Sequence, residues 1–482
     1  MFVGAWLPDP VDLTSARVGV DVALMHSRFQ RELRLDRARF DGELWLSGST
    51  FVGRVQMSSL QVAHGLFMAG ATFQEDVDLG GAKAGGQLVM NNSTFAGLVS
   101  MHGLEASHVF MIDTTFQKDV FLVAAKVTGL LAMNCSKVGD LLAPNCSTFA
   151  GTVNMESLQV TSHLVMVDAT FQGDVVLTNA NVGGQLRMDR SNVKGAVRMD
   201  RMRVANSLTV TGAVFAGGID YIAGHVGIDF DLSGAQLADA DLTGTRIDGE
   251  LRLGSQDQPR PQWKPGAHLV LRNTAVGAIQ DRPEDAWPDN VELDGFTYGR
   301  LGGLSRRGSA NSMMTRDIKW YTSRWLRPGP QSDPNYSAQP YEQLAAVFRA
   351  AGEGTKATEV LYAGRQRDRA KAGGLRWLGL SLLNWTMGYG LGLRYFRALF
   401  WISGLVVLGA MVLRLSSQGH RHQMRWGFAY SLDLLIPVIQ LRKCHHDIDL
   451  KGWARYYFYA HKMAGYVLAS FLIAGIAGLT QK

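Results

Sequence analysis

Apolar side chains recur through the first half of the chain with a period of eleven. The slots are Val18, Phe29, Phe40, Phe51, Val62, Phe73, Ala84, Phe95, Ala106, Phe116, Val127, Val138, Phe149, Val160, Phe171, Val182, Val193, Val204, Phe215, Val226, Leu237 and Ile247. Four and six residues after each slot the chain is apolar again, as at Val77 and Leu79, Val99 and Met101, or Leu164 and Met166. That alternation predicts a short strand in every unit. Two residues before the slot the side chain is small, as at Ala71, Ala169, Ala180 and Ala213. Gly42, Gly53, Gly97, Gly151, Gly173 and Gly195 precede strands and read as residues of left-handed or tight turns. No unit has the three-four spacing of a helix, and Val, Thr and Gly are poor helix formers. The predicted fold is a β-solenoid of stacked parallel strands. Phe and Val tend to alternate in the slot, which predicts a coil of 22 residues built from two similar halves. Twenty-two slots then make about eleven coils and a rod on the order of 50 Å long.

Near residue 234 the rhythm shortens to GAQLADADLTGTRIDG. Ala235, Leu237, Ala240, Leu242, Thr245 and Ile247 follow an A-x-L-x-x pattern. This stretch resembles the pentapeptide-repeat family, and the eleven-residue units before it look like a divergent relative. The resemblance implies a right-handed parallel β-helix and a binding surface, with no reaction attached. Met57, Met68, Met90, Met101, Met111, Met133, Met155, Met166, Met188 and Met199 share one position of the unit. They read as a stacked core ladder of flexible thioethers rather than a metal relay. Cys135 and Cys146 occupy the same slot in successive units. On opposite half-coils they would not meet, so they are expected to be small buried residues without a disulfide. His64, His102, His108, His163 and His225 show no ligand spacing.

The pattern divides the chain. Residues 1–254 read as the solenoid. Residues 255–340 read as an irregular capping region, with proline-rich loops, short strands and one helix around Trp320 and Trp325. Residues 341–372 read as a helical hairpin broken at Gly352–Gly354, suited to covering the open end of the solenoid. Residues 373–394, with Trp377, Trp385 and Tyr389, read as a helix lying in a membrane interface. Residues 395–482 read as a two-span membrane domain. The first span is the uncharged stretch 398–413, bracketed by Arg397 and Arg414. The second is 463–480, whose Gly465, Ala469, Ala474 and Gly475 suit close helix packing. Between them, 428–441 is too short to cross and reads as a re-entrant or interfacial segment centred on Asp433, a possible intramembrane functional carboxylate. Its placement is similar to that of the pore helix in two-span channels. The sequence after it, VIQLRKC, departs from that family's potassium filter.

Charge sharpens this division. The net charge of +6 is uneven: residues 300–482 carry 25 Lys and Arg against 9 Asp and Glu, leaving 23 against 33 for the rest. An acidic rod is thus joined to a basic, apolar tail, as expected beside an anionic membrane surface. The mean hydropathy of −0.01 averages the two. A nucleic-acid partner would not need the apolar runs, and none is expected. His420, His422, Cys444, His445 and His446 gather in the loop after the first span and are weak metal candidates. MFVGAWLPDP lacks an export signal's basic start and apolar run. With no pairing expected between cysteines, the solenoid is expected on the cytoplasmic side of an inner membrane.

No dinucleotide, Walker, nucleophile-elbow or zinc-protease motif is present, and no catalytic residue, cofactor or metal is expected. The leading expectation is a membrane-anchored scaffold or binding module. Its partners would be membrane lipid, a protein on the solenoid face and a second copy through the membrane helices. Two alternatives are an oligomeric pore with the solenoid as sensor, and an enzyme acting with a partner subunit. The latter follows from a resemblance to pentapeptide-like proteins with membrane tails described as membrane-associated oxidoreductases.

Overall fold

The computed structural model describes residues 2–480, except 136, 139, 140, 143–145, 256, 283–285, 305–312, 327–336, 417, 425, 426, 437–441 and 446; side chains are further excluded at 137, 138, 141, 142, 393, 395, 471, 472 and 474–480. It divides into two units, 1–333 and 334–482.

The first unit is a parallel β-solenoid of about thirteen turns among the described residues. Each coil has four sides, and nearly every side carries a two-residue strand. In one coil these are Thr50–Phe51, Val55–Gln56, Gln61–Val62 and Leu66–Phe67. Most strands pair with the strand 22 positions on, as Phe51 does with Phe73 and Leu66 with Leu88. One residue of each strand points into the coil and its neighbour points out. The inward positions form single-residue columns. Phe29, Phe51, Phe73, Phe95, Phe116, Phe149 and Phe171 are buried and stack with ring centroids 4.6–4.9 Å apart. The ten methionines are all fully buried, as their shared position requires. Buried hydroxyls in the small position close the corners: Ser93 Oγ donates to the Met68 carbonyl at 2.7 Å and Thr114 Oγ1 to that of Met90 at 2.8 Å.

Two turn types alternate with the strands. The left-handed corner falls every eleven residues and accepts Ser59 (φ 56°), Asn92 (56°), Asp168 (57°) and Arg190 (56°) as well as Gly70 and Gly81. The glycines expected in left-handed or tight turns are not left-handed and sit elsewhere. At Gly53, Gly97, Gly173 and Gly195 the neighbouring coil's backbone passes so close that an added Cβ would meet it at 2.3–2.6 Å. These glycines serve close stacking rather than turn handedness.

Stacking does not stop at residue 254. Gln262–Trp263, His268–Val270, Ala275–Asp281, Asn290–Glu292 and Thr297–Leu301 continue the sheets. The segment from Met313 to Leu326 supplies Tyr321 and Trp325 to the same core. Trp325 lies 5.5 Å from Trp287 and 5.6 Å from Tyr298, centroid to centroid.

The largest departure from the 22-residue step lies midway along the rod. Thr115 pairs with Thr148 and Leu131 with Leu164, a step of 33 residues instead of 22. One unit has been extruded from the wall. Within it Lys137–Val138 and Leu141–Leu142 pair as an antiparallel hairpin, so Val138 takes no slot in the solenoid. Cys135 and Cys146 stand at its two feet, with Cα atoms 4.5 Å apart, and are disulfide-bonded. This overturns the expectation of unpaired cysteines. That expectation assumed both units lie in the wall on opposite half-coils, whereas extrusion brings the feet of the excursion together.

The second unit is helical: α1 Gln339–Ala350, α2 Gly354–Lys371, α3 Gly374–Met387, α4 Arg397–Leu415, α5 Phe428–Leu435 and α6 Trp453–Thr480. α1 and α2 pack against each other, with Gly352 at φ 84° in the turn between them. α3 leaves Leu375, Leu378, Leu382 and Trp385 more than half exposed. Among the described residues one helix, α4, is long and apolar enough to cross a membrane, where two were expected. The expected second span lies inside the 28-residue α6. The first turns of α6 carry Arg455, Lys462, His461 and three tyrosines, which lower its hydropathy over the described positions.

Candidate functional site

The solenoid wall gives each strand one outward side chain, and stacking turns these into rows. The first strand of each coil shows a threonine row: Thr50, Thr72, Thr94, Thr115, Thr148 and Thr170. The third shows a polar and mostly charged row, Arg39, Gln61, Lys83, Glu105 and Lys126, with Lys83 Nζ 2.9 Å from Glu105. The fourth differs in chemistry. Trp45, Phe67, Val89, Phe110, Ala132 and Val165 pair in register and point outward. The Trp45 and Phe67 rings stack at 4.0 Å. Phe67 lies over Gly65, where a Cβ would meet its ring at 2.5 Å. Of these six, all but the buried Ala132 remain half-buried, an apolar stripe across six turns of the wall, apart from its threonine and charged rows. The sequence shows its members only once the register of the fourth strand is known.

The scattered solenoid histidines stay apart from one another. His102 stacks on Phe121 and His108 on Phe110, while His225 Nε2 lies 2.9 Å from Asp248. No group of three or more metal-capable side chains exists among the described residues.

In the last coils of the solenoid, Asp281 is buried against Arg316, with Oδ2 2.7 Å from Nη2, and accepts from Trp287 Nε1 at 2.9 Å. Burial nonetheless raises its carboxyl to about 6, because the cost of desolvating the charge exceeds the pull of Arg316 and Trp287. The Arg316 guanidinium also sits 4.0 Å above the Trp320 ring. Desolvation likewise drives the buried Tyr298 phenol upward.

In the second unit, polar groups line the seam between α4, α5 and α6. Asp433 is fully buried; its Oδ2 accepts from the Arg442 amide at 3.2 Å and faces His445 Nδ1 at 2.9 Å. His461, unnoticed in the sequence, is buried on α6. Its Nε2 lies 3.1 Å from the Ser431 carbonyl and its Nδ1 3.3 Å from the Tyr457 hydroxyl. Those partners fix the tautomer: Nε2–H donates to the carbonyl and Nδ1 accepts from tyrosine. Glycines allow the close approach. A Cβ on Gly409 would meet Ser431 Oγ at 2.1 Å, and one on Gly465 the Leu435 carbonyl at 1.8 Å. Both histidines and Asp433 are engaged by protein groups, which suits holding three helices in register. Of the loop candidates, His445 joins this seam, while His420 and His422 are exposed in another part of the loop. Cys444 is a free, exposed thiol, and His446 lies outside the described residues.

The expected interfacial groups lie near α3 and α4. Trp377 and Trp385 are half or more exposed on α3. Tyr389 stands in the left-handed turn after it, at φ 62°. Arg397 donates to the Asn384 carbonyl at 3.3 Å, and Arg414 is exposed at the far end of α4.

Compared with known proteins, the chain matches no protein family, no curated protein and no solved structure.

Proposed function

We propose that the protein is a membrane-anchored β-solenoid scaffold whose wall recruits a protein partner. The observation that carries this is the in-register stripe from Trp45 to Val165. Aromatic and β-branched groups on a rigid wall supply contact area at low conformational cost, as interface anchors do. Anchoring rests on α4. Phe400, Met411 and Leu415 are exposed by 79%, 52% and 72%, and basic residues stand near both ends. The four-sided coils and the A-x-L-x-x stretch at 235–247 support reading the rod as a divergent pentapeptide-repeat solenoid. A second span within α6 would make the domain multi-pass. Basic residues flank both ends of α4, so they give no orientation. A Cys135–Cys146 bond that persists in the cell would favour an oxidising side for the solenoid over the cytoplasmic one.

Two measurements test the scaffold reading with the full chain. Carbonate-washed membranes are expected to retain it. Crosslinking in cells is expected to capture a defined partner that is lost with Phe67→Glu or Phe110→Glu, while melting curves stay near wild type. Capture of the same partner by both variants would remove the stripe from the reading.

A further inference from the structure

We propose that the hollow at the carboxyl end of α4 binds the phosphate-bearing headgroup of an anionic phospholipid. The inference rests on the reading that α4 crosses the membrane. It adds a ligand and a site to that reading.

The hollow holds about 740 Å³, enclosed by the end of α4, the loop that follows and the start of α5. Its lining has two chemical halves. Val407, Met411 and Phe428 form an apolar wall, while Arg414, His420 and Gln423 are polar. Arg414 differs from three arginines of this unit that are held by carboxylates. Arg376 pairs with Asp368, Arg394 with Glu359 and Arg455 with Asp449, all within 2.9 Å. Arg414 has no acidic partner among the described residues. It therefore brings an uncompensated, fork-shaped donor set to the hollow. His420 offers a donor N–H in either tautomer, and Gln423 offers an amide. Gln423 takes a left-handed conformation, φ 53°, an uncommon backbone state for a residue other than glycine. The amino end of α5, at Gly427 and Phe428, lines the same hollow and adds the favourable end of a helix dipole.

Position along α4 selects the ligand. Nineteen residues rise about 28 Å, close to the roughly 30 Å hydrocarbon layer. Arg414, in the last turn, then falls at headgroup depth. A free phosphate would satisfy the polar half and leave the apolar half wet. A lipid with no phosphate would fill the apolar half and leave Arg414 without an anion, and in zwitterionic phosphatidylcholine the choline cation already compensates the phosphate that Arg414 would meet. A phosphodiester of net negative charge with acyl chains satisfies both. The notch at the other end of α4, about 470 Å³ beside Trp385 and Trp401, is shallower in chemistry, because Arg397 already donates to the Asn384 carbonyl.

The test uses the full chain purified in mild detergent, with lipid retention read by native mass spectrometry. Phosphatidylglycerol, phosphatidylcholine and inorganic phosphate are offered separately and in competition. The wild type is expected to hold phosphatidylglycerol about tenfold over phosphatidylcholine, the scale of one charge-assisted bond. Arg414→Gln should erase that preference and Arg414→Lys should keep part of it. Met411→Trp should block retention by filling the hollow. Thermal unfolding of each variant reports whether it folds. Equal retention of both lipids, unchanged preference in Arg414→Gln, or displacement of phosphatidylglycerol by inorganic phosphate would each overturn the proposal. Carbonate extraction is read in parallel. A chain that stays in washed membranes without a lipid preference refutes this site alone. A chain that washes off refutes the anchor as well.

Discussion

Phe116 and Phe149 stack with centroids 4.9 Å apart although 33 residues separate them, while Phe73 and Phe95 stack at 4.6 Å across 22. The column does not register the excursion between them. The wall reseals around it, with the Asp119 carboxylate accepting the Thr152 amide at 2.7 Å as Asp76 accepts that of Leu98 at 2.9 Å.

The bond at the feet of that excursion predicts a thiol count. Alkylation of the unfolded, unreduced chain should label one cysteine, Cys444, and prior reduction should raise the count to three. Three labels without reduction would show that the bond does not form in the cell of origin. Replacing both Cys135 and Cys146 by serine should lower stability by up to about 3 kcal/mol, the scale for closing so short a loop, measured by urea unfolding.

The phenylalanine column predicts a gradient. Phe95 lies between Phe73 and Phe116 with no exposure, so Phe95→Ala should cost about 3–5 kcal/mol. Leu7, in the first turn, is only half-buried, and Leu7→Ala should cost clearly less. Equal losses at both sites would argue against a core that tightens away from its amino end.

Gly97 tests the close stacking of coils. Its added Cβ would lie 2.3 Å from the Glu75 carbonyl carbon, which side-chain motion cannot relieve. Gly97→Ala should destabilise by about 1–3 kcal/mol. Gly81→Ala, left-handed but 3.5 Å from its nearest atom, should cost about 1 kcal/mol. Chemical denaturation of the two variants side by side would rank them.

Asp281 predicts a pH dependence. Its carboxyl is raised to about 6 in the fold from an ordinary value near 3.8. The folded state therefore binds the proton more tightly, and the resulting stability is present below about 4 and lost as pH rises through 6. Between pH 7 and pH 5 the fold should gain on the order of 1 kcal/mol from this group. Asp281→Asn, neutral throughout, should remove that gain from the difference between the two pH values. A gain that persists unchanged in the variant would assign it to other groups.

Much of the rod is legible in the sequence because one residue per slot answers to one column. Phe51, Val55, Met57, Val62 and Leu66 announce a coil by spacing alone. The excursion leaves a trace too: Val127 and Val138 are consecutive valines where Phe and Val should alternate. Val182, Val193 and Val204 break the alternation in the same way while remaining in the wall, so the trace is ambiguous without geometry. The left-handed corner is hard to read because Arg190 and Asp168 occupy it as readily as Gly81. The aromatic stripe is invisible for a related reason. Trp45, Phe67 and Phe110 fall just after the inward Leu44, Leu66 and Val109, and only strand register shows that they face out together. In the second unit α4 is evident from its lack of charge. His461 and Ser431 meet only through the packing of α6 on α5, which no local pattern encodes.

The extruded unit has a consequence for the whole surface beyond it. Eleven residues are half a coil. Had they been absorbed into the wall, every later side chain would have been carried to the opposite side of the rod. Phe149 would sit in the valine column and Val165 would face away from Phe110. By looping out and being tied at its feet, the insertion keeps both halves of the rod in phase, so a length change at one site leaves the address of every downstream surface residue unaltered.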